Sequence, residues 1–92
     1  MTCVTESSVP SLARHVRLRF DPARDRHVLL APERVIMPDE TALAVLQSCD
    51  GVATVGAIAD ALAARFAAPR DVVLADCIEM LDDLISKGMV TA

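Results

Sequence analysis

Tryptophan and tyrosine are absent from the 92 residues, and Phe20 and Phe66 are the whole aromatic complement. The core must therefore be aliphatic, packed from Leu, Val, Ile, Met and Ala, which leaves little room for a deep catalytic cleft. Cysteine is sparse: Cys3, Cys49 and Cys77 stand far apart, with no CxxC pair and no histidine placed to complete a zinc set. Such usage suits a reducing cytosol better than a disulfide scaffold. No apolar run approaches the ~18 residues of a membrane span. The first residues, Met1-Thr2-Cys3-Val4-Thr5-Glu6, have neither the basic nor the apolar region of a secretory signal. A soluble, cytoplasmic chain without a membrane partner is expected.

Net positive charge is also missing, with a balance of -4. Residues 1–37 carry six Arg against four carboxylates, whereas residues 38–92 carry three basic and nine acidic groups. Phosphate backbones bind proteins chiefly through Lys and Arg, so the acidic C-terminal half argues against a nucleic-acid partner.

A chain of this length supports one domain, burying roughly 60–68% of the surface its unfolded form exposes. Residues 1–13 are polar and Ser-rich, with only Val4, Val9 and Leu12 to anchor them. They read as an N-terminal tail outside a domain of residues 14–92, too weakly apolar to hold structure alone. From Val16 the pattern alternates strictly: Val16, Leu18 and Phe20 fall on one face, Arg17 and Arg19 on the other. The turn-rich stretch Asp21–Arg26 leads into a second strand, His27–Ala31, and Pro32 interrupts the ladder before a third, Val35–Met37.

Three helices follow. Asp39 is placed to cap the first, with Gly51 as its left-handed stop; Thr54 caps the second, which ends near Ala67-Ala68-Pro69. The last spans about Pro69–Lys87 and buries Leu74, Cys77, Ile78, Leu81, Leu84 and Ile85, with Gly88 ending it. The expected fold is α+β: a three-stranded antiparallel sheet followed by a three-helix bundle, winged-helix-like in order.

Catalysis needs a nucleophile, a base and a charge stabiliser converging on one pocket, and they do not assemble here. His15 and His27 sit in no cluster with ligand spacing, and Cys49 and Cys77 lie on apolar helix faces. Asp76, Glu79, Asp82 and Asp83 form a solvated acidic face, of the wrong sign for a major groove. No catalytic residue, metal or cofactor is expected. A winged-helix nucleic-acid binder and a purely dimerising subunit are the competing readings.

Two features exceed a structural role. The third strand, Arg34-Val35-Ile36-Met37, offers an edge with little protection, whereas the first strand carries Arg17 and Arg19. On the last helix, Val73 and Met80 widen the apolar face beyond one core, at about 80–100° from its centre. They pack against the first helix or the tail, or they wall a groove floored by Cys77 and Leu84 in which a peptide could lie.

The segments Leu29-Leu30-Ala31-Pro32-Glu33-Arg34-Val35, Cys49-Asp50-Gly51, Ala63-Ala64-Arg65-Phe66, Asp76–Leu84 and Gly88-Met89-Val90 resemble the PqqD family. The likeness runs from about Arg14 to Val90. It implies a peptide chaperone of pyrroloquinoline quinone (PQQ) biosynthesis, a precursor-peptide recognition element that binds the peptide PqqA and presents it to the radical S-adenosylmethionine enzyme PqqE. The chain would be no catalyst, since it lacks the CxxxCxxC motif of an iron-sulfur cluster. In such domains the peptide adds as a strand beside the third strand and against the third helix, which implies contacts from Arg34, Val35, Ile36, Met37, Val73, Cys77, Met80 and Leu84. Of the motif residues Leu29, Pro32, Glu33, Asp50 and Gly51, Pro32 reads as a strand break, Glu33 as a partner for an Arg, and Asp50-Gly51 as a helix stop. Phe66 stands where the family often has Tyr. A homodimer through the third-strand edge or the N-terminal tail remains a further expectation.

Overall fold

The computed structural model describes residues 4–32 and 34–92, so Cys3 and Glu33 lie outside the described residues. The elements run β1 (Ser11–Leu12), β2 (Arg17–Asp21), β3 (Arg26–Ala31), β4 (Arg34–Ile36), α1 (Glu40–Gln47), α2 (Val55–Phe66), α3 (Arg70–Ser86) and β5 (Val90–Thr91). Strands β2, β3 and β4 form the expected antiparallel meander, in that order. Its register sets Leu18 opposite Leu29 and Leu29 opposite Ile36. Side chains alternate across a strand, so this row faces one way while Arg17, Leu30 and Val35 face the other. The helices cover the first face only: Val16, Leu29, Val45, Ile58, Leu62, Leu81 and Met89 belong to one aliphatic core, with Leu18 and Ile36 packed against it. Phe20 shares the face of Leu18, opposite His27, but lies past the edge of that core. It is 51% exposed and meets His27 edge to face at 5.3 Å.

Side chains and backbone geometry end each helix. Asp39 Oδ1 accepts from the Ala42 N–H at 2.8 Å, and Thr54 Oγ1 from the Ala57 N–H at 3.1 Å. Helix α1 stops earlier than expected, at Gln47, with Ser48 as its C-cap. Gly51 does adopt left-handed backbone, φ 77°, but in the turn beyond. There Asp50 Oδ1 accepts from the Val52 and Ala53 N–H groups at 2.8 and 3.0 Å, which holds its carboxyl below the usual range, the Ala53 bond most of all. Helix α3 closes as anticipated: Gly88 turns left-handed at φ 76°, and Met89 N–H reaches back to the Leu84 carbonyl at 2.9 Å. That geometry buries Met89 and delivers Val90 to the sheet with β1.

Residues 4–13, expected as a polar tail, lie packed as a strap, and the contacts holding them come from the same chain. Val4 and Pro10 are buried, and Val4 N–H donates to Asp82 Oδ1 at 3.3 Å. The strap also completes the start of α2. A helix leaves its first N–H groups without internal partners; here Val55 donates to the Ser8 carbonyl, Gly56 to that of Glu6 and Ala57 to Thr54 Oγ1, and the regular ladder starts with Ile58 donating to the Thr54 carbonyl. Gly56 fits this approach because a Cβ would come within 3.2 Å of Glu6 Oε1. Outside the strap, Arg70 bridges the carboxylates of Glu6 and Asp60. Both keep its guanidinium more firmly charged than usual, Glu6 most of all.

Candidate functional site

Helix α3 is the element around which the open surface is organised. One face, with Cys77, Leu81 and Leu84, is buried in the core. Beside it, Val73, Cys77 and Met80 line a cleft of about 220 Å³ together with Val45 of α1 and Leu62 and Phe66 of α2. Val72 stands 52% and Phe66 38% exposed at its margin, and the Arg65 guanidinium lies 5.1 Å from the Phe66 ring centroid. The lining is mostly apolar, with Thr41 and Asp76 as its polar members, so the cleft can accept an apolar side chain. It shares Thr41, Asp76 and Met80 with a wide, open trough of about 600 Å³ rimmed by the carboxylates of Asp39, Asp76, Glu79 and Asp83.

The two buried thiols are inert by environment. Burial pushes Cys49 up to about 11, aided by the charges of Asp50 and Cys77. Its Sγ donates to the Val45 carbonyl at 3.2 Å. Burial, and then Asp76, also raises Cys77. Neither is a thiolate nucleophile at neutral pH. Among the described residues no group of three His, Cys, Asp or Glu side chains is arranged to hold a metal ion, and no helix is long and apolar enough to cross a membrane.

The structure brings together only part of the expected groove. Val73, Cys77 and Met80 share the cleft, whereas Leu84, one turn on from Met80, is 8% exposed and belongs to the core. Arg34 and Pro32 line a separate recess of about 260 Å³ with Val16, Ala31, Lys87, Gly88 and Met89. Ile36 turns inward, while Val35 and Met37 are more than half exposed at the free edge of β4. Leu29, at 1% exposure, is a centre of the core. Asp50 and Gly51 shape the turn that receives the strap: Gly51 N–H donates to the Pro10 carbonyl at 3.0 Å, and Ser11 bridges to Asp50. Glu33 is outside the described residues. Sequence reasoning missed Phe66 and Val72 as cleft margins, although two adjacent valines on one helix put one of them off the core stripe and could have signalled it.

The cleft is lined by residues of the three helices and the α2–α3 turn, and none of Arg34, Val35, Ile36 or Met37 lines it; comparison with known proteins identifies the family. The family model of coenzyme PQQ synthesis protein D (PqqD) matches residues 26–90. The chain belongs to the PqqD family. A PqqA binding protein of Bradyrhizobium diazoefficiens is 52% identical over 88 residues, covering 96% of this chain and 85% of that protein. Another, from Xanthomonas euvesicatoria, is 47% identical over 90 residues, 98% of each chain. The bifunctional coenzyme PQQ synthesis protein C/D of Methylorubrum extorquens is 46% identical over 97% of this chain, which spans 24% of that longer protein. Among solved structures, the solution structure of the PqqD truncation of Methylobacterium extorquens PqqCD, described as a functional and stand-alone recognition element for ribosomally synthesized, post-translationally modified peptides, superposes with TM-score 0.83. It is 44% identical and covers 99% of this chain and 97% of that one. The crystal structure of PqqD from Xanthomonas campestris, also 44% identical, covers 91% and 93% and superposes with TM-score 0.57. The sheet and three helices expected from sequence are thus the architecture of a PqqD recognition element.

Proposed function

We propose that this chain acts in the cytoplasm by binding the peptide PqqA and presenting it to the radical S-adenosylmethionine enzyme PqqE, with no catalytic step of its own. The observation that carries this reading is the apolar cleft on α3 together with the open β4 edge, in a chain whose relatives are named PqqA binding proteins. The peptide would pair as a strand with Arg34, Val35, Ile36 and Met37. An apolar anchor would enter between Val73, Cys77 and Met80, with Leu84 supporting the floor from the core side.

Three or four strand hydrogen bonds at ~1 kcal/mol net and several apolar anchors at ~1.5–3 kcal/mol each are offset in part by ~2–5 kcal/mol for ordering the peptide. Micromolar affinity, about -8 kcal/mol, requires only a few such anchors and a preformed edge. Ile36→Pro, which removes a backbone N–H from the edge strand, and Met80→Asp, which charges the cleft, are each expected to weaken PqqA binding tenfold or more in calorimetry, with the circular dichroism of the folded domain retained. Unchanged affinity in both variants sinks this site.

A further inference from the structure

The sheet has a second face that the helices do not use. The strand register sets Arg17, Leu30 and Val35 in one row across it, Arg19 beside Val28 in the next, and Asp21 beside Arg26 in a third. Leu30 and Val35 stand outside the aliphatic core, Leu30 partly buried and Val35 55% exposed, whereas Val28 between the arginines is buried at 4% exposure. The result is a short apolar stripe on β3 and β4 with Arg17 and Arg19 along one side. Arg26 and Arg24 flank it at the hairpin end, reaching the Pro38 carbonyl at 3.1 Å and the Met37 sulfur at 3.8 Å. Arg17 and Arg19 make no ion pair among the described residues.

Charge on β2 has a simpler use, protecting an edge strand from unwanted pairing. That use leaves two facts unexplained. Edge protection commonly employs lysine, yet the chain has eight arginines and one lysine. Nor does it require exposed apolar residues on the same face. An apolar centre with an arginine rim is instead the composition of a protein–protein interface, in which Arg is enriched and Lys depleted.

We propose that this outer face of the β2–β3–β4 sheet is a docking surface for a protein partner that presents carboxylates around an apolar centre. The charge pattern favours protein over nucleic acid: the arginines flank apolar side chains, no aromatic side chain lies in these rows for bases to stack on, and the helical half carries the opposite sign. Because the α3 cleft lies on the helix-covered side, peptide and partner could be held at once. The inference rests on the peptide-binding reading for the partner's identity; Val35 belongs to both surfaces, whereas Arg17 and Arg19 on β2 belong to this one alone.

The test uses the whole chain with PqqE as the probe, at low and high salt, and duplex DNA as a second probe. Arg17→Glu/Arg19→Glu is expected to weaken binding to PqqE at least tenfold, while Arg17→Lys/Arg19→Lys restores part of it and PqqA affinity stays within twofold in both. Added salt should weaken the wild-type complex. Unchanged PqqE binding in the Glu variant, failure of the wild type to bind PqqE, or salt-sensitive retention on duplex DNA alone would each overturn the proposal. Loss of PqqA binding in the cleft variants, with the arginine dependence intact, would instead remove the peptide site and leave this surface standing.

Discussion

Strands β2, β3 and β4 follow one another directly in sequence and space, whereas the strap of residues 4–12 finds partners as far as 80 residues away, at Thr91. Both cover the same core. The meander does so with an alternating pattern that fixes which side chains face inward, because a one-residue slip would turn Leu18 and Leu29 to solvent. The strap has no periodicity; its Ser8 and Glu6 carbonyls serve as caps for α2, and its Val4 and Pro10 fill gaps between elements already formed. A segment can therefore be integral to a small domain while carrying almost none of the local signals of structure.

The largest effect expected on the meander side is from Leu29→Ala, which empties a fully buried site between the sheet and the helices and should cost about 2–5 kcal/mol. Denaturant unfolding measures it, and a loss below 1 kcal/mol would mean that Leu29 is not the centre the packing indicates. Deleting residues 1–10 tests the other side. The net loss should be smaller, about 1–3 kcal/mol, because the ordering entropy returned by the deleted residues offsets much of four hydrogen bonds and the burial of Val4 and Pro10. Its signature is local: amide exchange should accelerate at Val55 and Gly56 while the β2–β3 pairs keep their protection. Uniform acceleration would erase the distinction between strap and meander. Smallest is Arg70→Ala, expected to leave the unfolding midpoint nearly unchanged, since exposed ion pairs to Glu6 and Asp60 gain little in water. A larger change in the unfolding midpoint would promote that bridge to a principal anchor of the strap.

What could be read beforehand divides along the same line. The sheet, the three helices and the Asp39, Thr54 and Gly88 ends were legible because each depends on neighbours within a turn or a strand pair. Gly51 misled, since left-handed backbone marks the turn that meets Pro10 as readily as a helix stop. Part of the cleft was legible from periodicity: Val73 and Met80 line it, off the core stripe. Leu84 did not follow, because heptad spacing alone does not tell a groove floor from a core residue one turn further on.

The sequence by itself determined the order of the three meander strands and three helices, though not the β1–β5 pair, together with the aliphatic core, the split of charge between sheet and helices, and the likeness to the PqqD family, all of which rest on local pattern or composition. Only the tertiary structure decided that residues 4–12 belong to the fold, that Val45, Leu62 and Phe66 join α3 in one cleft, and that the sheet keeps an arginine-rimmed face to solvent. Those depend on how helices and strands cross, and packing geometry between distant segments is not written in the periodicity of any one of them.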